Sequence, residues 1–178
     1  MEYLDVVDKN NNLTGEIVER ECAHRNGVWH REVAIWIVNE QDDVLLQKRS
    51  ANKKQEPNMW AICAGHIDAG ETVEVSVVRE LEEELGFKVT IDDLELMWIE
   101  KKYNEFPNGR KNYNFQYMYF LKVNWKIEDY KIQLDELSEV KYITFNEFEK
   151  IIETKDPNVT FSRQNYTARL LKELKNRM

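Results

Sequence analysis

Apolar and polar positions change their period several times along the chain, and each change marks an element. Alternation over Tyr3–Val7 predicts a strand, polar Asp8–Asn12 a turn, and Glu16–Glu19 a second short strand. The apolar runs Val33–Val38 and Val44–Gln47, separated by Glu40–Asp43, predict a hairpin. Leu94–Tyr103 and Tyr113–Val123 have the length and aromatic content of two paired strands, with Phe106-Pro107-Asn108-Gly109 as the turn between them. Val140–Thr144 predicts another strand. A short helix over Phe145–Ile152 should follow, capped near Thr144 or Asn146. Asp156-Pro157-Asn158 breaks the chain. Ser162–Asn176 then has a helical pattern, with Lys and Arg near its end as the macrodipole favours. No internal repeat, linker or low-complexity segment interrupts this order.

The segment Gly65 to Phe87, GHIDAGETVEVSVVRELEEELGF, carries a different signal. A helix should begin at Thr72 and stop at Gly86, preceded by a loop whose glycines permit turns. Residues three and four apart share a helix face, so Glu80, Glu83 and Glu84 form one acidic patch. Val77, Val78, Leu81 and Leu85 fall on the adjoining arc and can pack inward. Two carboxylates ~6 Å apart repel by ~3 kcal/mol at an effective dielectric of ~20. A divalent cation with oxygen preference removes that cost. Mg²⁺ suits best, because it binds a few carboxylates, keeps waters and meets substrate phosphates; Mn²⁺ is the alternative.

Composition sets the surroundings of this chemistry. The 178 residues are 42% hydrophobic, enough for one sizeable core, so residues 1–178 are expected to form a single domain. A net charge of −8 argues against a sustained nucleic-acid surface. No apolar run is long enough to span a membrane, and the start Met1-Glu2-Tyr3 has no signal-peptide pattern. Cys22 and Cys63 are too few for a disulfide framework, so a reducing cytoplasm is the expected compartment. Neither cysteine has the context of a nucleophile, and each is expected to act as a small buried hydrophobe. A homodimer paired through the N-terminal strand is compatible with the residues, though nothing requires it.

The Gly65–Phe87 segment matches every fixed position of the Nudix box, and the chain is therefore identified as a member of the Nudix hydrolase superfamily. The resemblance implies an α+β fold, an α/β/α sandwich around a mixed sheet. It also implies metal-dependent hydrolysis of a diphosphate joined to another moiety. Carried over by position, Glu80, Glu83 and Glu84 are the metal ligands, and Glu71 and Arg79 orient that cluster. The flanking segments, YLDVVDKNNNLTGEIVERECAHRNGVWHREVAIWIVNEQDDVLLQKRS and PNMWAICAGHIDAGET, resemble the branch related to isopentenyl-diphosphate isomerase. In that branch an Arg and a Lys hold the substrate diphosphate, and Arg49 and Lys53 match them.

Several positions depart from the isomerase pattern. The isomerases place a catalytic cysteine immediately before Gly-His; here Ala64 stands there and Cys63 one residue earlier, on the opposite strand face. Their Glu-x-Glu pair on a later strand has Asn114-x-Gln116 as its nearest counterpart, without either charge. Isomerases tend to have a degraded box, whereas this one is intact. These departures favour a hydrolase over an isomerase. A non-catalytic ligand-binding domain is a third reading, against which the intact acids speak. The three histidines, His24, His30 and His66, resemble positions that hold a metal in the isomerases. Whether they do so here is open at this point. Glu105, Glu136 and Glu139 are candidates for a general base.

Overall fold

The computed structural model describes residues 1–178. Its elements, in chain order, are β1 (Tyr3–Val7), β2 (Leu13–Glu19), α1 (Arg20–Asn26), β3 (His30–Asn39), β4 (Val44–Arg49), β5 (Trp60–Ala61), β6 (Cys63–His66), α2 (Val73–Leu85), β7 (Glu95–Glu105), β8 (Lys111–Val123), β9 (Leu137–Ile143), α3 (Phe145–Thr154) and α4 (Thr167–Lys175). Short 3₁₀ turns occupy Ile91–Asp93 and Ile127–Asp129. β1 and β2 form their own antiparallel hairpin.

The main sheet runs β5-β4-β3-β8-β7, with β6 also pairing β3 and β9 pairing β4. It is mixed: β3 and β8 run parallel along their length, from His30 opposite Asn114 to Asn39 opposite Val123, and the other pairings are antiparallel. Val33 to Val38 are all buried, as a strand covered on both faces requires. On one face Val33, Ile35 and Ile37 join Phe115, Tyr117 and Leu121 and pack against Val77, Leu81 and Leu85 of α2. On the other, Ala34, Trp36 and Val38 join Met118 and Phe120 and pack against Phe148 and Ile152 of α3 and Leu170 and Leu174 of α4. Trp36 is fully buried, with its ring edge-on to Phe148 and Phe161. Two faces, each with its own helices, make the expected α/β/α sandwich.

Along β3 this second face changes character. From Ala34 onward it is apolar; at His30 and Glu32 it is polar, flanked on β8 by Asn114 and Gln116 at the same level. The helices cover the apolar half, and the polar half forms the floor of a cleft.

The structure adds elements the pattern did not predict. α1 was not expected, and β2 begins at Leu13 rather than Glu16. The terminal helix begins at Thr167 rather than Ser162, because Val159, Phe161 and Ser162 are buried through irregular turns. There Ser162 Oγ donates to the carbonyls of Asp156 and Val159. Thr144, not Asn146, caps α3 through a reciprocal box with Glu147. Cys63 is buried as expected, whereas Cys22 is partly exposed. No helix is long and apolar enough to cross a membrane.

Candidate active site

α2 has the boundaries its sequence predicts. Thr72 Oγ1 accepts from the Val75 amide, and Gly86 closes the helix with φ 76°, in the left-handed region. Burial of Val77, Leu81 and Leu85 fixes the helix rotation, which turns its acids toward β4 and β6. They are graded in exposure. Glu84 is buried and accepts from Gln47 Nε2 of β4 at 2.7 Å. The Glu80 side chain is 12% exposed, and that of Glu83 is 54% exposed.

Arg79 holds the group together. Its guanidinium donates to Glu71 from Nε and Nη2, to Glu80 at 2.8 Å, to Glu83 at 3.1 Å and to the His66 carbonyl at 3.1 Å. Glu71 is held in turn by Ser76 Oγ at 2.6 Å. Lys, with a single point of charge, could not span these partners. Gly65 of β6 completes the cradle: a Cβ built there would lie 2.1 Å from the Glu80 carboxyl. Only glycine admits this approach.

The electrostatics suit a cation. Burial, and then the neighbouring Glu84 charge, push Glu80 up to about 7 despite Arg79. Burial likewise raises Glu84. Two desolvated carboxylates that resist ionisation are hard oxygen donors lacking a sufficient counter-charge. The residues therefore fit a divalent cation that prefers oxygen donors.

The acids open into a cleft of about 800 Å³. Arg49 and Lys53 both line it. Arg49 donates from Nε and Nη2 to the Gln55 carbonyl, at 3.2 and 3.0 Å, and Lys53 is ion-paired with Glu136. Glu136 and Glu105 line the cleft as well, Glu105 accepting from the Tyr113 hydroxyl. Glu139 is not part of the cleft wall; it is half-exposed and lies 4.0 Å from Lys48. Ala64 faces the cleft, whereas Cys63 packs on the α2 side of the sheet. There burial, then the charges of Glu84 and Glu80, hold its thiol protonated.

The three histidines do converge. One ring nitrogen from each of His24, His30 and His66 lies within 4.8 Å of the others. His24 Nδ1 meets the Lys111 carbonyl at 3.0 Å and His30 Nδ1 meets the Val28 carbonyl at 2.9 Å. Each carbonyl fixes the proton on Nδ1, so Nε2 faces inward with its lone pair. His24 Nε2 lies 3.0 Å from His66 Nε2, and His30 Nε2 is buried without a partner. Burial lowers His24 to about 4 and lowers His66 as well, which keeps both rings neutral near pH 7. Glu32 stands 3.4 Å from His66 and 3.7 Å from His30, and accepts from Asn112 and Gln116. Neutral imidazoles, an orphaned nitrogen and a carboxylate could hold a divalent cation.

Glu32, Gln47 and Lys102 were not singled out from the sequence. For Glu32 a signal existed: His30 and Glu32 are two apart in a strand, hence on one face. Gln47 and Lys102 gave none, because their importance lies in partners distant along the chain.

Comparison with known proteins bears on the family and the fold. The NUDIX domain family profile matches residues 28–165. Nudix hydrolase 3 of Arabidopsis thaliana is 36% identical over 161 residues, covering 88% of this chain and 21% of that longer protein. Isopentenyl-diphosphate Delta-isomerase 2 of Photorhabdus laumondii is 28% identical over 158 residues, covering 85% of this chain and 82% of that one. Among solved structures, DR0079 from Deinococcus radiodurans has the same fold. It superposes with a TM-score of 0.68 at 22% identity, covering 97% of this chain and 99% of that one.

Proposed function

Because the chain belongs to the NUDIX domain family, we propose that it is a divalent-metal-dependent hydrolase that cleaves a diphosphate linkage in a small organic substrate. One observation carries the reading: Glu80 and Glu84 are desolvated together at the cleft edge, where a glycine leaves room for the Glu80 carboxyl. Glu80, Glu83 and Glu84 would hold Mg²⁺, with Mn²⁺ as the alternative. Bound there, the metal would offset phosphate charge and lower the pKa of a water.

The protein's own groups do the rest. Arg79 fixes three carboxylates at once, so the acids are placed before substrate arrives. Glu71 orients Arg79 and stays ionised: burial would raise it, but Arg79 and Ser76 outweigh that and lower it. Arg49 and Lys53 supply positive charge at the cleft wall for the diphosphate. Glu136 and Glu105 are within the cleft as proton acceptors, and Glu136 becomes available once substrate draws Lys53 away.

An isomerase reading has the histidine cluster with Glu32, and the similarity to a protein named as an isomerase, behind it. Against it, the cleft wall carries Ala64 with the thiol of Cys63 on the far face, and Asn114 and Gln116 carry no charge. The test is incubation with Mg²⁺ and a pool of diphosphate compounds that includes isopentenyl diphosphate, followed by mass spectrometry. Hydrolysis gives a phosphate-containing product pair. An isomer of isopentenyl diphosphate without cleavage overturns the hydrolase reading.

A further inference from the structure

The cationic side chains lining the cleft are Arg20, Arg49, Lys53, Arg79, Lys102 and Arg110. Four are neutralised within the protein: Arg20 by Glu2, Lys53 by Glu136, Arg110 by Glu21, and Arg79 by Glu71, Glu80 and Glu83. Arg49 and Lys102 have no carboxylate within ion-pair reach. Lys102 makes one hydrogen bond, to Gln116 Oε1 at 3.1 Å, and its Nζ lies 5.7 Å from the centre of the Tyr166 ring. An ammonium has three donors, so this one has capacity left for an acceptor in the cleft. Burial lowers its pKa while Glu32, Glu56 and Glu100 counteract at a distance, so its charge is incompletely compensated.

Its place in the sheet sets it apart from the α2 acids. At this level the strands run β6-β3-β8-β7, with His66, Glu32, Gln116 and Glu100 in register. Lys102 lies two residues along β7 from Glu100, hence on the same face. Lys102 reaches back over β8 to Gln116, so its ammonium stands about two strand spacings from β6, roughly 10 Å. Glu80 packs against Gly65 of β6. With a diphosphate held at the α2 acids, the floor around Gln116 and Lys102 is left for the group attached to it.

We propose that Lys102 is a substrate-binding residue for the organic half of the molecule, donating to an oxygen of a polar group there, and that this contact selects against prenyl diphosphates. The proposal rests on the hydrolase reading for the position of the diphosphate. An alkyl chain over the same floor would strip water from the ammonium and return nothing, which is how a site rejects the wrong ligand. Gln116, Asn112 and Glu32, which share the floor, are equally poor partners for an alkyl chain.

The experiment measures binding by calorimetry in Mg²⁺ with Glu83→Gln as background, so that substrate is not consumed. Inorganic pyrophosphate, ADP-ribose, UDP-glucose and isopentenyl diphosphate are the probes, and Lys102→Met, Lys102→Gln and Lys102→Arg are added in turn. Melting temperatures verify folding, and the glutamine variant serves if the methionine one fails. The expected result is that at least one of the two sugar nucleotides binds more tightly than pyrophosphate. Met or Gln should remove tenfold or more of that affinity, leave pyrophosphate within twofold, and narrow the gap to isopentenyl diphosphate; Arg should keep most of it. Equal losses for pyrophosphate would make Lys102 a diphosphate ligand and overturn the proposal. So would unchanged affinities, or no advantage of either sugar nucleotide over pyrophosphate and isopentenyl diphosphate. Turnover of the same compounds by the unsubstituted protein reports separately on the hydrolase reading.

Discussion

Glu80→Gln should stabilise the metal-free protein at alkaline pH while removing its activity. The Glu80 carboxyl has an ordinary value of 4.5 and stands at about 7 in the fold. A folded-state value above the unfolded one means that ionisation opposes folding: stability is full below pH 4.5 and is lost as pH rises through 7. Linkage over that interval puts the cost at about 1 kcal/mol at pH 5 and about 3 kcal/mol at pH 8. Gln stays neutral throughout and can still accept from Arg79 through its amide oxygen. The variant should therefore melt higher than the parent by roughly 5–10 °C at pH 8 and by only a few degrees at pH 5, at about 3 °C per kcal/mol for a chain of this size. The assay is thermal unfolding in chelator at both pH values, repeated with Mg²⁺. Added metal should raise the parent through preferential binding to the folded state and raise the variant much less. If the variant melts below the parent at pH 8 in chelator, or if the difference does not shrink toward pH 5, the desolvated-acid argument is wrong.

Other expectations follow from the same geometry. Glu83→Gln should abolish turnover with little change in melting temperature, because Glu83 is half-exposed; full activity on any cleaved diphosphate would remove its assigned role. Arg79→Lys should lower metal affinity by roughly 10–100-fold, as loss of an outer partner does, measured by Mg²⁺ titration of the melting temperature. Gly65→Ala should displace the Glu80 carboxyl, with a loss of turnover and little change in melting temperature because the carboxyl ends a flexible side chain; a variant that binds Mg²⁺ normally would contradict the cradle. Trp36→Ala should cost about 3–5 kcal/mol in chemical denaturation, since its ring is fully buried between the sheet and two phenylalanines.

Local signals were legible and non-local ones were not. The ends of α2 follow from Thr72 and Gly86, whose side chain and backbone act within one turn. The long β7–β8 hairpin was visible because its turn residues and aromatic runs are contiguous. α1 was hidden: in RECAHRN only Ala23 and His24 are buried, so no apolar stripe exists to reveal a helical period. Cys63 and Ala64 read as strand residues on opposite faces, whereas Gly65 and His66 read as the start of the loop; pairing with β3, about thirty residues earlier in the chain, carries β6 through His66. The box acids needed only helical spacing to be grouped. Glu32, Gln47 and Lys102 became visible only when strand register had set them beside partners from other elements.

The alternation of Cys63 and Ala64 along β6 has an evolutionary consequence. Neighbouring strand residues face opposite sides, so the thiol near Glu84 and the methyl group on the cleft wall are divided only by the thickness of one strand. Two adjacent substitutions that exchange these residues would present sulfur to the cleft without altering the sheet, whereas a register slip would also take Gly65 from Glu80 and His66 from the histidine cluster. A cleft with a methyl group on its wall and one with a thiol there are thus two substitutions apart on this scaffold. A lineage can pass between them by exchanging neighbouring residues, long before it needs a new fold.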